Sequence, residues 1–492
     1  MRRPSARAVA RLLSPLIPLV AAAVVWRPLL DNYFLSDDFL SLFDLVTLPL
    51  PRFFTQIFGG HLYIVRNVVF AAMYGAFGPE PRPWFWSVLL THLLNVFLLH
   101  RVVLRVTGDR LLACLGATLW GTSPVLEGAL GWYSVYGHVL LTTFVLVVLA
   151  SLAGAVAAGR PPSPRRALVW GGLLAVGATC FGTGLGIAAA FPVVVALAFP
   201  PDRRSARAAG VLVFTAVAML AVYALVRTWS PDLDARGREL LAPGTILGDA
   251  PAVLALGASL LVYGASTLLL GPLGLDAGYP DAASLGAAAL VMVMVAAGWV
   301  AADGAGRRRL LWLGTLVVAA CATIAAGRAT ILTAWHFPIA RAAAWPRYHY
   351  LPLALITTLL CAALGSLRVR GRTPGLLVAG GAVVWLAARI VLLAVRPHSI
   401  DHHDAERAET AAVVRAIHEA VAAAPPGTTV TIQNRPFHGA ILLRSFPGWA
   451  GVFVIEFPTN VVDGRPVRFV ARDDDAPAEQ RGGRIAALLQ RP

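Results

Sequence analysis

The sequence predicts a mainly α, polytopic membrane protein of about eleven spans, with a small α/β domain at its C-terminus. Three observations predict it. Hydrophobic residues fill 58% of the 492 positions and charged residues only 14%, against about 25% charged in a soluble domain. So few charges cannot cover a water-facing surface, and the mean hydropathy of +0.70 says the same. Apolar runs of about 20 residues, the length needed to cross a bilayer, recur up to residue 395. Beyond that point the chain turns polar.

The expected spans are 12–30, 84–104, 111–128, 138–158, 168–183, 185–200, 209–227, 284–302, 310–327, 350–367 and 374–395. The first has a basic flank and no small-residue cleavage site, so it reads as a span and not as a removed signal peptide. The fifth and sixth meet at a Gly-rich turn, Phe181 to Gly186. No Lys-Ser/Thr follows those glycines, so they are not a P-loop. One further apolar stretch, 251–270, is expected to be re-entrant or interfacial. Counted as a span, it would move Arg307–Arg309 to the other side of the membrane. Residues 396–492 form the second unit. It has a helix-like run near 404–423 and strand-like runs at 428–433, 440–443, 452–457 and 467–470, separated by turn residues.

The net charge is +15, and every basic residue is arginine. In a soluble protein this would suit nucleic acid. Here the arginines cluster in short loops between apolar runs, around Arg2–Arg11, Arg105/Arg110, Arg160–Arg166, Arg203–Arg207, Arg307–Arg309 and Arg368–Arg372. That is the signature of cytoplasmic loops. It argues against nucleic-acid binding and places the N-terminus inside and the C-terminal domain outside. The four cysteines, Cys114, Cys180, Cys321 and Cys361, lie in apolar runs without CxxC spacing and read as buried hydrophobes.

Acidic residues are scarce, so their positions carry information. Asp109, Asp202 and Asp303 sit beside inner arginines, whereas most others before residue 396 fall on the outer side. The first outer loop, about 31–83, holds Ser36-Asp37-Asp38-Phe39. Adjacent carboxylates raise one another's pKa, and one of the pair then suits proton acceptance. Such a pair also occurs simply as a solvated helix start. His92 and Asn95, one turn apart in the second span, read as interhelical hydrogen-bonding residues. His398, His402 and His403, with Asp401 and Asp404, read as a solvated linker as readily as a metal site.

Four segments in order resemble one family. They are His61-Leu-Tyr-Ile-Val-Arg66-Asn with Ala71 to Pro79 and Thr91-His-Leu-Leu-Asn95; Thr122-Ser-Pro-Val-Leu-Glu127-Gly-Ala-Leu-Gly-Trp132; Leu268 to Tyr279; and Arg347-Tyr-His-Tyr-Leu-Pro352. Together they resemble the GT-C superfamily of polytopic glycosyltransferases. The likeness is to the branch related to protein O-mannosyltransferases and their bacterial TPR-bearing cousins, without a TPR domain. Pro124 and Trp132 keep the separation of that branch's Pro-x-x-x-Glu-x-x-x-Trp run, while Glu127 stands one residue early.

The resemblance implies a mannosyltransferase-like enzyme of a bacterial inner (cytoplasmic) membrane, active on the periplasmic face and inverting at the sugar carbon. The chemistry is consistent with that. A donor outside the cytoplasm has to be lipid-linked, and a polyprenyl phosphate leaves with little acid help. The site then needs a carboxylate base and cations for the leaving phosphate. Asp37 or Asp38 is the candidate base. Glu127 would orient the acceptor or help bind a divalent cation (Mg or Mn); no other cofactor and no protein metal site is expected. Arg66, Arg347, His349, Tyr348 and Tyr350 are the candidate phosphate-side residues. His61, Trp132, Tyr133 and His138 are the candidate substrate-binding residues. The partners are a polyprenyl-phosphate sugar, a glycan, lipid or protein hydroxyl acceptor, and membrane lipids. Competing readings are a periplasmic glycan ligase or polymerase, a transporter or flippase, and a GT-C scaffold without activity.

Overall fold

In the computed structural model of the chain, the described residues are 6–35, 37–58, 60–229, 239, 242–275 and 279–395, with scattered positions beyond, among them 430–433, 461–462 and 465–470. They are mainly helical. In lipid a backbone must satisfy its own hydrogen bonds, and a continuous helix does so within one apolar run.

In chain order the helices are α1 (Ala6–Trp26), α2 (Asp37–Thr47), α3 (Leu50–Thr55), α4 (Ile64–Phe77), α5 (Pro81–Thr107), α6 (Arg110–Gly121) and α7 (Glu127–Leu130). Next come α8 (Gly137–Ala157), α9 (Pro164–Ala178), α10 (Thr183–Ala198), α11 (Arg203–Trp229) and α12 (Pro243–Gly248). The series ends with α13 (Ala250–Leu270), α14 (Ala282–Ala301), α15 (Gly304–Ala334), α16 (Ile339–Ala343), α17 (Tyr350–Arg370) and α18 (Arg372–Val395). Among the described residues, nine helical stretches are long and apolar enough to cross a membrane. The chain is a multi-pass helical membrane protein.

Helix lengths refine the expected spans. The runs 111–128, 168–183 and 185–200 are helices of 12, 15 and 16 residues. They rise about 18 to 24 Å, short of the roughly 30 Å hydrocarbon core. The first stops at Thr122 because Pro124 and a 3-10 turn follow; apolarity continues past the point where the helix cannot. The stretch 251–270, expected to be re-entrant or interfacial, is one continuous helix of 21 residues, α13, long and apolar enough to cross; its Leu256 and Leu260 pack with Ala342 and Tyr348, and Gly271 just beyond it lies against Pro124.

The three carboxylates set beside arginines act at helix starts. Asp109 accepts from the amides of Leu111 and Leu112 at the head of α6, and Asp303 from that of Gly306 at the head of α15. Asp202 accepts from the amide of Ser205 at the head of α11. These caps complement the partial positive charge of a helix N-terminus. Asp109 also pairs with Arg368 at the foot of α17, so two arginine-rich turns meet at one end of the bundle.

The core is built around α17, whose spanning window is 72% buried, against 11% for α11 and α18. Its first residue, Tyr350, holds the centre together. The phenol meets His92 Nδ1 at 2.8 Å and accepts from Asn95 Nδ2 at 3.3 Å, and the Tyr350 carbonyl accepts from Trp120 Nε1 at 3.1 Å. His92 and Asn95 therefore bond between helices, as the sequence suggested. All four cysteines are free and buried.

At the end of the bundle away from Asp109 and Arg368, the connection between α1 and α5 is structured. It holds α2, α3, the hairpin of β1 (Ile57–Phe58) with β2 (His61–Leu62), and α4. Arg389 of α18 braces the same end, donating to the hydroxyl and carbonyl of Thr122 and to the Pro272 carbonyl. In the C-terminal region β3 (Val430–Gln433) pairs in parallel with β5 (Arg465–Val470), and β4 (Val461–Val462) pairs antiparallel with it. These strands overlap the expected 428–433 and 467–470; the runs at 440–443 and 452–457 lie outside the described residues.

Candidate functional site

The Asp-Asp motif forms the first turn of α2, and its two carboxylates have different surroundings. Asp38 is fully buried. One oxygen accepts from the Leu35 amide at 2.9 Å and the other from the Ser134 amide at 2.5 Å. Burial pushes its pKa up to about 6, with the two amides holding it down. Asp37 is half-buried, and its carboxylate makes no hydrogen bond or ion pair among the described residues. Burial pushes its pKa up to about 7; Arg347 opposes that most, Asp38 adds to it, and Arg66 and Arg328 pull it down. A carboxylate with that pKa is suited to take a proton near neutrality.

The three arginines are held in three ways. Arg66, on α4, is fully buried. It donates to Asn67 Oδ1 at 2.8 Å and Ser41 Oγ at 2.6 Å, and lies 4.6 and 4.4 Å from the ring centroids of Tyr63 and Phe70. It braces α2 against α4 and sends its field to both aspartates. Arg347 is half-buried in an aromatic cradle, 5.3 Å from Trp132, 4.7 Å from Trp345 and 5.3 Å from Tyr348, within cation–π range. No carboxylate is in ion-pair contact with it among the described residues. Its backbone lies against Gly128, where a Cβ would come within 2.6 Å of the Arg347 nitrogen. That close approach sets α7, and Glu127 at its head, beside the cradle.

Arg328, near the end of α15, donates to His61 Nε2 at 2.8 Å. A guanidinium only donates, so His61 accepts there as a neutral ring. Burial, then Arg328, hold its pKa well below the ordinary value. His61 lies 4.3 Å from the Phe181 ring, which stacks at 3.5 Å on His138. The turn that carries Phe181 approaches so closely that a Cβ on Gly182 would fall 2.4 Å from His61 Nδ1. The glycine-rich turn expected from the sequence thus backs His61.

Asp37, Asp38, Arg66, His61, Trp132, His138 and Arg347 therefore gather at one end of the bundle. The remaining sequence candidates border that group from within the core. His349 is fully buried, meets the Ala343 carbonyl at 2.6 Å through Nε2, and is pushed down to about 4 by burial, so it carries no charge to offer. Tyr348 packs in an apolar cluster with Leu256, Leu260 and Ile324, while one face of its ring meets Arg347. Tyr350 belongs to the interhelical network. Tyr133 is enclosed by Phe70 and Trp84 at 4.9 and 4.8 Å. Glu127 is partly buried at the head of α7.

The residue that sequence reasoning passed over is Arg328. A signal was present: it is an isolated arginine far from the arginine-rich turns, at the opposite end of a long apolar run. Among the described residues no group of three or more His, Cys, Asp or Glu side chains is placed to hold a metal. His398, His402, His403, Asp401 and Asp404 lie outside the described residues.

No protein-family model matches the chain, and no curated protein matches it. What fold and site define is a multi-pass helical membrane protein with an acidic pair, one member buried and one half-buried, and three arginines at one end of its bundle.

Proposed function

We propose that the chain is a membrane glycosyltransferase of the GT-C kind, moving a sugar from a polyprenyl phosphate to a hydroxyl acceptor on the periplasmic face. The observation that carries this reading is Asp37, whose carboxylate, unbonded among the described residues, is set among Arg347, Arg66 and Arg328. Asp37 is the base. It takes the acceptor's proton as the acceptor oxygen bonds to the anomeric carbon. The bond from that carbon to the phosphate oxygen breaks, and its electron pair leaves on the phosphate, with inversion. A phosphodiester monoanion becomes a monoester dianion, so one negative charge develops on the leaving group. Arg347 and Arg328 stabilise it, and such preorganised cations act most strongly where charge appears in the transition state.

His349, Tyr348 and Tyr350 support the site from within the core, and Arg66 acts through its field. The C-terminal region is read as a small periplasmic α/β domain. The test is transfer from radiolabelled polyprenyl-phosphate sugars by the purified chain in proteoliposomes. Asp37→Asn is expected to lower transfer by at least about a hundredfold. A wild-type chain that uses none of several such donors defeats the reading. Retained activity in Asp37→Asn with lipid diphosphate donors would favour a glycan ligase instead.

A further inference from the structure

The segments around Asp37 and around Arg347 are joined by an unusual set of bonds. Asn32 Nδ2 donates to the Gly131 carbonyl at 2.9 Å, Trp132 Nε1 to the Leu35 carbonyl at 3.1 Å, and the Leu35 and Ser134 amides to opposite oxygens of Asp38 at 2.9 and 2.5 Å. Asp38 thus bridges positions 96 residues apart in the chain. Trp132, between these bonds, carries the Arg347 guanidinium on its ring at 5.3 Å. Asp37 is the residue next to the bridge.

We propose that Asp38 is a positioning residue whose carboxylate, by tying the Leu35 amide to the Ser134 amide, sets the separation between Asp37 and Arg347 through Trp132. The assignment deepens the reading of Asp37 as base and partly rests on it. Asp38 is itself poorly placed for that task, because both its oxygens are occupied and none of its surface is open. A carboxylate is required at this position, since it alone presents an acceptor to each of two facing amides. An amide side chain would turn an NH2 toward one of them and leave a buried donor without a partner. The aspartates therefore divide the work: one is held still so that the other is correctly spaced from a cation.

The test has two arms on the full chain in detergent, one of which needs no activity. Hydrogen exchange is followed in residues 32–38 and 131–136. Asp38→Asn is expected to speed exchange in both segments by about five- to tenfold, as loss of a buried hydrogen bond implies. Trp132→Phe keeps a ring beneath Arg347 and removes only the bond to Leu35, and it should speed exchange in 32–38. Asp37→Asn should change neither segment. The second arm is the pH dependence of kcat/KM. In Trp132→Phe the acid limb should survive but move to higher pH, because Arg347 no longer sits at its working distance from Asp37; Asp38→Asn also removes the neighbouring charge that raises the Asp37 pKa, so the direction of shift is read in Trp132→Phe. A defect of stability alone would lower activity without moving that limb.

Unchanged exchange in 131–136 in Asp38→Asn overturns the proposal. So does an acid limb that vanishes in Asp38→Asn and persists in Asp37→Asn, which would make Asp38 the base. If Asp38→Asn does not fold, Trp132→Phe carries both arms. If no sugar transfer is found, the glycosyltransferase reading falls, and the exchange arm alone still decides whether Asp38 is the clasp.

Discussion

The Arg328 guanidinium donates to Nε2 of His61 at 2.8 Å, across 267 positions of sequence. The contact orients the guanidinium without neutralising it, because the histidine accepts as an uncharged ring. An arginine bonded to a carboxylate would have less charge to give a ligand. Arg328→Ala is therefore expected to weaken use of a polyprenyl-phosphate donor by roughly ten- to a hundredfold in kcat/KM, the range of a charged hydrogen bond. His61→Ala should weaken it less, since the charge remains. Donor titrations of the two variants test this order, and a larger defect in His61→Ala would reverse it.

Asp37 accepts a proton only when ionised, and its pKa is about 7. Activity should therefore rise with pH through neutrality. Arg347 is the strongest influence holding that value down. Arg347→Ala should shift the acid limb of kcat/KM above that of wild type, besides lowering its height. A limb in the variant at the wild-type position would show that Arg347 does not face Asp37.

The same group governs a stability effect of opposite sense. The folded pKa of Asp37 lies above its ordinary value of 3.8. The native state therefore binds a proton more tightly than the unfolded chain does. That contribution is fully present below about pH 4 and is lost as pH rises through about 7. Asp37→Asn should raise Tm relative to wild type at pH 8 and change it little at pH 4. Thermal melts at the two pH values provide the check. Activity would be lost in the variant that is the more stable at pH 8.

Two glycines should tolerate no side chain. Gly182→Ala would drive a Cβ into His61, and Gly128→Ala would drive one into the backbone of Arg347. Overpacking of this kind typically costs about 1–3 kcal/mol. The Gly128 variant should be the more damaging, because backbone at Pro346–Arg347 yields less readily than the His61 ring. Comparing their Tm values with that of Gly172→Ala, where a Cβ would meet nothing within 4 Å, controls for the substitution itself.

The long apolar runs were legible because lipid demands them, and most expected spans overlap helices of adequate length. Composition could not show where a helix stops. The turn at Pro124 and the continuous helix Ala250–Leu270 depend on backbone geometry inside runs of uniform apolarity. The Asp-Asp motif stood out because acids are rare in this chain. Its division into one carboxylate that is clasped and one that is not was not legible, since Ser134 lies far away in sequence and acts through its backbone amide. Arg328 went unnoticed for a related reason: its partner is a neutral histidine, and no charge pattern announces such a pair.

The clasp between Asp38 and Ser134 also has a consequence in time. A membrane chain is synthesised from its N-terminus, and its parts fold in that order. Everything the clasp needs has emerged once residue 134 is made, whereas Arg328 and Arg347 belong to a much later stretch. The acidic half of the site can therefore be finished while the cationic half does not yet exist. Until the last helices arrive, Arg66 is the one arginine of the three that Asp37 can meet, so the full set of charges around it is complete only at the end of synthesis.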